Sequence, residues 1–287
     1  MSKPIVIGVG EYLWDVLPTS KKAGGAPINF AYHASQNGAE GWGISAIGDD
    51  ELGKELLEVA KANGINLSVS TVNYPTGTVQ VTLVDGQPSY KICENVAWDH
   101  LVLSEKAISL AKRASAISFG TLAQRSENSH DAIAELISYT PKDALIIYDI
   151  NLRQHYYDKS IIEHSLLMAN VLKINDEEIE IIKPIFSLEG NDYDEVCDFL
   201  MKKYDLSIVV LTGGDKFSSV YSPEGISTIK TPKVEVVDAV GAGDSFSGAF
   251  IGSILNGKTI REAHEIAVDT AAYVCTQPGA WTPKRKI

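Results

Sequence analysis

The sequence predicts an α/β protein: a doubly wound, mainly parallel sheet with a small antiparallel β-lid. Three observations predict it. Short apolar, β-branched runs alternate with stretches of helical apolar spacing along most of the chain, the pattern of strands covered on both faces by crossover helices. One segment, at about 66–92, breaks that rhythm with period-two alternation around Asp85-Gly86, a hairpin signal. Polar residues recur just after successive apolar runs, where open parallel sheets gather their ligands.

Pro4–Gly10 is a β-branched run ending in glycine and reads as a buried strand. Ala26–Asn37 has helical spacing and closes at Gly38, and Gly43–Gly48 is the next strand. Glu51–Asn63 is an amphipathic helix stopped by Gly64. Thr78–Val84 alternates and Ser89–Ile92 returns, so 66–92 reads as a flap inserted into a single domain spanning 1–287. Strands at Ala116–Gly120, Ala144–Ile150, Val171–Asn175 and Ser207–Thr212 then alternate with helices at Glu127–Ser138 and Tyr193–Lys203. Phe217–Tyr221 and Gly225–Ile229 form a hairpin across Pro223-Glu224. Helices Asp244–Leu255 and Ile260–Cys275 finish the chain.

A formal charge of −12 with no basic stripe argues against a nucleic-acid partner. The three cysteines, Cys93, Cys197 and Cys275, form no CxxC pair, which excludes a zinc ribbon and fits a reducing compartment. No apolar run approaches the length of a membrane span, and the N-terminal segment lacks the long apolar core of a signal peptide. The predicted location is the cytoplasm, with no membrane partner.

The segment Asp238-Ala239-Val240-Gly241-Ala242-Gly243-Asp244 joins a small-residue turn to a helix start. Such a turn offers free N–H donors and the positive end of the helix dipole to an anion. Asp244 would stand beside that anion as a base. No GxxxxGK[ST] is present, which excludes a Walker A loop. Other polar groups occupy the ends of the other strands. Asp15 and Asn29 suit a polyhydroxylated ligand, and Gly24-Gly25 lets the backbone come close to it. Arg153 could hold a phosphate. Asn175 and Glu178, at N-x-x-E spacing, offer oxygens to Mg²⁺ or its waters, and Thr212 and Lys216 could border nucleotide phosphates. Singly, each residue has a plain reading as a cap, a turn or a surface charge. Together, in this order, they favour a site.

That order resembles the ribokinase-like (PfkB-type) sugar kinases, most closely their fructokinase-like branch. Its anchors are Gly10-Glu11…Asp15, Gly24-Gly25…Asn29, Ile47-Gly48-Asp49-Asp50…Gly53, Asp149…Asn151…Arg153, Asn175…Glu178, Thr212…Gly214 and Asp238…Asp244. The resemblance implies ATP-dependent phosphorylation of a primary hydroxyl on a small sugar, fructose first, with Mg²⁺. It makes Asp244 the base and the N–H groups of Gly241, Ala242 and Gly243 an anion hole. It puts Asp15, Gly24, Gly25, Asn29, Asn151 and Arg153 at the sugar. Asn175, Thr212, Gly214 and Lys216 fall to the nucleotide, and Asn175 and Glu178 to Mg²⁺. Many such kinases bind K⁺, a role that would fall here on Asp238 and the backbone carbonyls of Val240 and Gly279, with Val274 and Gln277 as secondary candidates. Ala239 replaces a usual threonine, Phe217 a usual glycine, and Lys91–Asn95 lacks the Arg-Gly-Ala of fructokinase lids. Ribose, a keto-deoxy sugar acid or a nucleoside are alternative substrates, and a non-catalytic sugar- or nucleotide-binding protein is the alternative class. The exposed lid edge would either pair two subunits into a homodimer or serve only as the lid of a monomer.

Overall fold

Every residue of β1 (Ile5–Val9) is buried, and its side chains divide by parity. Ile5, Ile7 and Val9 enter one core and Val6 the other, as a strand covered on both faces requires. A computed structural model describes residues 2–84, 87–188 and 192–285. After β1, β2 (Leu13–Val16) and β3 (Lys21–Gly24) lead to α1 (Ala26–Gln36), β4 (Glu40–Gly48), α2 (Glu51–Ala62) and β5 (Asn66–Val72). Next come β6 (Gly77–Val84), β7 (Gln87–Ile92), α3 (Glu105–Ala111), β8 (Ala114–Gly120), α4 (Glu127–Ser138) and β9 (Leu145–Asp149). They are followed by α5 (Lys159–Met168), β10 (Val171–Asn175), α6 (Asp176–Phe186), α7 (Tyr193–Tyr204) and β11 (Ile208–Thr212). The hairpin β12 (Phe217–Ser222) and β13 (Gly225–Lys230) precedes α8 (Ala242–Leu255) and α9 (Ile260–Cys275).

Nine strands form the main sheet in the order β13-β12-β11-β10-β9-β8-β1-β4-β5. Its neighbours are parallel except at β11–β12 and β12–β13. The chain builds outward from β1 through β4 to β5, then returns to the other side of β1 with β8. This reversal makes β1 the switch point at which a doubly wound sheet opens a cleft. α8 is buried from Ser245 to Ser253, packing on α1 and α9. A Cβ on Gly248 would lie 2.5 Å from the Phe30 carbonyl oxygen, so glycine there lets α8 approach α1 closely.

The expected lid differs in membership. The second sheet has the order β3-β2-β6-β7, with β2–β3 and β6–β7 antiparallel and β2–β6 parallel. The segment 66–92 therefore divides: β5 pairs with β4 as an edge of the main sheet, and β6 and β7 enter the small one. The Asp85-Gly86 turn lies outside the described residues. β2 and β3 escape a pattern search because each has four residues, too few to show alternation. α3 has only seven residues, and Ser104 and Asp158 cap α3 and α5. The last long connection, 231–241, carries no regular structure, and α8 starts at Ala242 rather than Asp244.

Candidate active site

Gly241 is the N-cap of α8 in the left-handed region, at φ 77°. A Cβ there would fall 2.6 Å from the Cβ of Ala280, so glycine is required twice over. The Ser245 N–H closes the first helical bond onto the Gly241 carbonyl at 2.8 Å. The Ala242 N–H reaches the Ala239 carbonyl at 3.3 Å, which engages one of the three expected anion-hole donors. Among the described residues, the N–H groups of Gly241 and Gly243 take no acceptor.

Asp244 stands in the first turn of this helix, and its Oδ2 accepts a 2.8 Å bond from Asn29 Nδ2. The Asn29 Oδ1 in turn accepts from Trp281 Nε1 at 2.8 Å. The Asn29 amide thus orients Asp244 and, with two protons on Nδ2, keeps one for the sugar contact that the sequence suggests. Burial first, then the Asp149 charge, pushes the Asp244 carboxyl up from its usual 3.8 to about 6, against Asn29, Lys173 and Arg153. Glu11, just past β1, is 4% exposed with Oε2 unpartnered. Burial lifts it to about 7; the Asp244 charge adds, while its own N–H, that of Ala26 and Arg153 oppose.

Behind the helix N-terminus, Lys173 Nζ lies 3.1 Å from Asp149 Oδ1, both side chains being nearly buried. Burial pulls the ammonium down, but Asp149, Glu178 and Asp244 together hold it above its usual value. The N-x-x-E pair forms a capping box at the start of α6. Asn175 Oδ1 accepts from the Glu178 N–H at 2.8 Å, and Glu178 Oε2 accepts from the Asn175 N–H at 2.9 Å. Glu178 Oε1 also accepts from the Leu152 N–H at 2.9 Å, which ties α6 to the segment carrying Asn151 and Arg153.

Asn151 has a positive φ of 37°. Arg153 is exposed and acts electrostatically on both Asp244 and Glu11. Asp15, on β2, faces Gly24 with its Oδ2 3.7 Å from where that glycine's Cβ would stand. Burial raises its carboxyl, Lys22 lowers it and Asp238 raises it further. Gly25 caps α1 at φ 131° and presses on the Glu11 carbonyl, 2.2 Å from where a Cβ would stand. Its position serves the joint between β1 and α1. Thr212 ends β11, and the Gly214 carbonyl accepts from Thr231 Oγ1 at 2.9 Å. Lys216 is exposed, its Nζ 3.4 Å from Asp176 Oδ2. Phe217 packs its ring where a Gly213 Cβ would go, at 2.6 Å, which explains the departure at that loop.

Asp238, expected at K⁺, accepts three hydrogen bonds. Asp238 Oδ1 accepts from the Val240 N–H at 3.0 Å, and Oδ2 accepts from the Gly279 N–H at 3.1 Å and Lys22 Nζ at 2.7 Å. Although burial raises this carboxyl, those bonds hold it below its usual value. The Val274 carbonyl takes the Gln277 N–H at 2.9 Å. Val240 and Gly279 thus approach Asp238 through N–H groups, and Lys22 supplies the positive charge.

Asp244, Asn29, Glu11, Asp149, Lys173, Glu178 and Arg153 therefore share one electrostatic neighbourhood around the N-terminus of α8. Residues 13–287 match the family described as pfkB family carbohydrate kinase. The chain belongs to this family. A probable fructokinase-5 of Arabidopsis thaliana is 30% identical to this pfkB chain, over 96% of the chain and 93% of the relative. An uncharacterized sugar kinase from Pyrococcus horikoshii superposes with a TM-score of 0.84 at 23% identity, covering 98% of this chain and 95% of that one. A fructokinase with bound ATP from Xylella fastidiosa superposes with a TM-score of 0.83 at 19% identity, covering 97% and 94%. Both superpositions show the fold. The sequence assigns no role to Glu11, Lys22, Asp149, Lys173 or Trp281. The signal for Glu11 and Lys173 is a charge set into or beside an apolar strand; Trp281 carries none, since it meets Asn29 only through the fold. Among the described residues of this pfkB chain no helix is long and apolar enough to cross a membrane.

Proposed function

We propose that this carbohydrate kinase transfers the γ-phosphoryl group of ATP to a primary hydroxyl of a small sugar, fructose being the first candidate. The observation that carries this reading is Asp244: a partly buried carboxyl raised to about 6, fixed by Asn29, in the same turn as the unengaged N–H groups of Gly241 and Gly243. A base with that basicity is ionised at neutral pH and still takes a proton readily. In the step, the sugar oxygen bonds to the γ-phosphorus as the bond to the β,γ-bridging oxygen breaks. The hydroxyl proton passes to Asp244, and ADP leaves with the bridging oxygen's electron pair. The N–H groups at the α8 turn oppose charge on the transferring oxygens, the main catalytic contribution in phosphoryl transfer.

Mg²⁺ fits the chain. Asp149, Glu178 and Asp244 place more negative charge around Lys173 than one ammonium balances. Among the described residues no group of three or more His, Cys, Asp or Glu side chains is placed to hold a metal by itself. Mg²⁺ carried on nucleotide phosphates keeps its waters and needs one or two protein carboxylates, which Glu178, with Asn175 beside it, would supply. Bound there, Mg²⁺ would neutralise phosphate charge. Asp15, Gly24, Asn151 and Arg153 would surround the sugar beneath the small sheet, with Gly25 and Asn29 fixing the frame; Thr212, Gly214 and Lys216 would border the nucleotide. An ADP-release assay over a panel of ketoses, aldoses, sugar acids and nucleosides tests the reading. Fructose should give the highest kcat/KM; turnover of nucleosides alone would replace the substrate, and none on any acceptor would favour a binding protein.

A further inference from the structure

β10 reads Val171-Leu172-Lys173-Ile174-Asn175. Leu172 and Ile174 enter one core and Val171 the other, the core shared with α1 and α8. Lys173 has the parity of Val171 and therefore faces α8 from the middle of a buried strand. It is 7% exposed, and an ammonium is rarely buried to that extent unless it is paired. Its Nζ stands 3.3 Å from where a Cβ on Gly243 would be. Any side chain larger than hydrogen at Gly243 would crowd that ammonium. Asp149 lies on β9 with the parity of Ile147, which belongs to the same core, and Asp149 Oδ1 is the one hydrogen-bond acceptor of Lys173 among the described residues. An ammonium has three protons to donate, so two remain beside the unengaged N–H of Gly243.

We propose that Lys173 is a further catalytic residue, whose ammonium contacts the phosphoryl group in transit at the Gly241–Gly243 turn. The inference rests on the phosphoryl-transfer reading. As the γ-phosphorus passes from the bridging oxygen to the sugar oxygen, Lys173 donates hydrogen bonds to the transferring oxygens and keeps its proton. Asp149 holds the ammonium in place from behind.

Lys173→Met tests this through turnover and through binding. Its kcat should fall by about 10²–10³, the usual loss for one oxyanion donor, with the sugar KM changed by less than about threefold. Titration calorimetry with β,γ-imido-ATP and with ADP should show affinity lost for the imido analogue and kept for ADP. Wild-type kcat, or equal loss of both nucleotides, would overturn the proposal. Removing one partner of a buried pair can unfold a protein, so the double variant Lys173→Met/Asp149→Asn, with no buried charge left over, accompanies it. Continued loss of the imido analogue in the folded double variant supports a phosphate contact. Recovery of turnover there would reduce Lys173 to a partner for Asp149. If the wild type turned over no sugar, the kinase reading would fail, and the two nucleotide titrations would still decide the contact.

Discussion

At Asp244, burial and the Asp149 charge act in one direction, and Asn29, Lys173 and Arg153 in the other. With Asp244 as the proposed base, the net result would set a pH limit on catalysis. The base must be ionised, so kcat/KM should fall as pH drops through about 6, where this carboxyl of the free enzyme titrates. Asp244→Asn should lower kcat by about 10²–10⁴ and abolish that acid limb; a surviving limb would assign the titration elsewhere. Glu11 gives a stability prediction of definite sign. Its folded value of about 7 exceeds the ordinary 4.5, so its contribution is fully present below about 4.5 and is lost as pH rises through 7. Glu11→Gln should therefore raise Tm at pH 8 by a few degrees, roughly 2–4 °C per kcal/mol, with the gain vanishing at acid pH. Equal Tm changes at both pH values would show packing alone. Asp244 was legible because a turn and a carboxyl are adjacent in the chain. Lys173 was not, because the parity that points it at α8 has meaning only once the covering helices are known. Trp281 reaches Asn29 from the far end of the sequence.

In the proposed mechanism the chemistry depends on the start of α8, and Gly241 is its most exacting position. Alanine there would occupy the left-handed region, at a cost of about 1–2 kcal/mol, and would meet Ala280 at 2.6 Å. Gly241→Ala should lower Tm in calorimetry and reduce kcat/KM for ATP by at least about tenfold, or ~1.4 kcal/mol. An unchanged ATP parameter would move the phosphate elsewhere. Long elements were the legible ones: α9 and α4 are bounded where their apolar spacing begins and ends. Four-residue strands such as β2 and β3 carry no period. At Asn175 and Glu178 one spacing allows two readings, a helix cap and an oxygen pair for Mg²⁺. The sequence does not separate them; the hydrogen bonds establish the cap.

Across the whole molecule the outer strands of the small sheet are guarded. β3 presents Lys21 and Lys22, and the Tyr90 carbonyl of β7 accepts from Gln154 Nε2 at 2.7 Å. Lysines and covered carbonyls discourage strand pairing between molecules. Light scattering at micromolar concentration should give the mass of one 31.1 kDa chain, and twice that mass would support the lid-to-lid dimer that the sequence offers as an alternative. The doubly wound order was legible because each apolar run is short and each helix follows its strand. The split of 66–92 between two sheets was not, because β5 lacks the full burial of its neighbours and pairs with β4 only in three dimensions.

The bond from Lys22 Nζ to Asp238 joins a strand of the small sheet to the connection that leads into the α8 turn. If sugar and ATP bind on either side of this tie, as proposed, the tie would couple them. Whatever factor the sugar then added to ATP affinity, ATP would add to sugar affinity, and such factors run from roughly 5- to 150-fold. Lys22→Met should bring both factors toward one together while leaving each ligand's affinity alone nearly intact. Order of addition would then cease to matter. The lysine on the lid would be the means by which an empty sugar pocket withholds ATP from water.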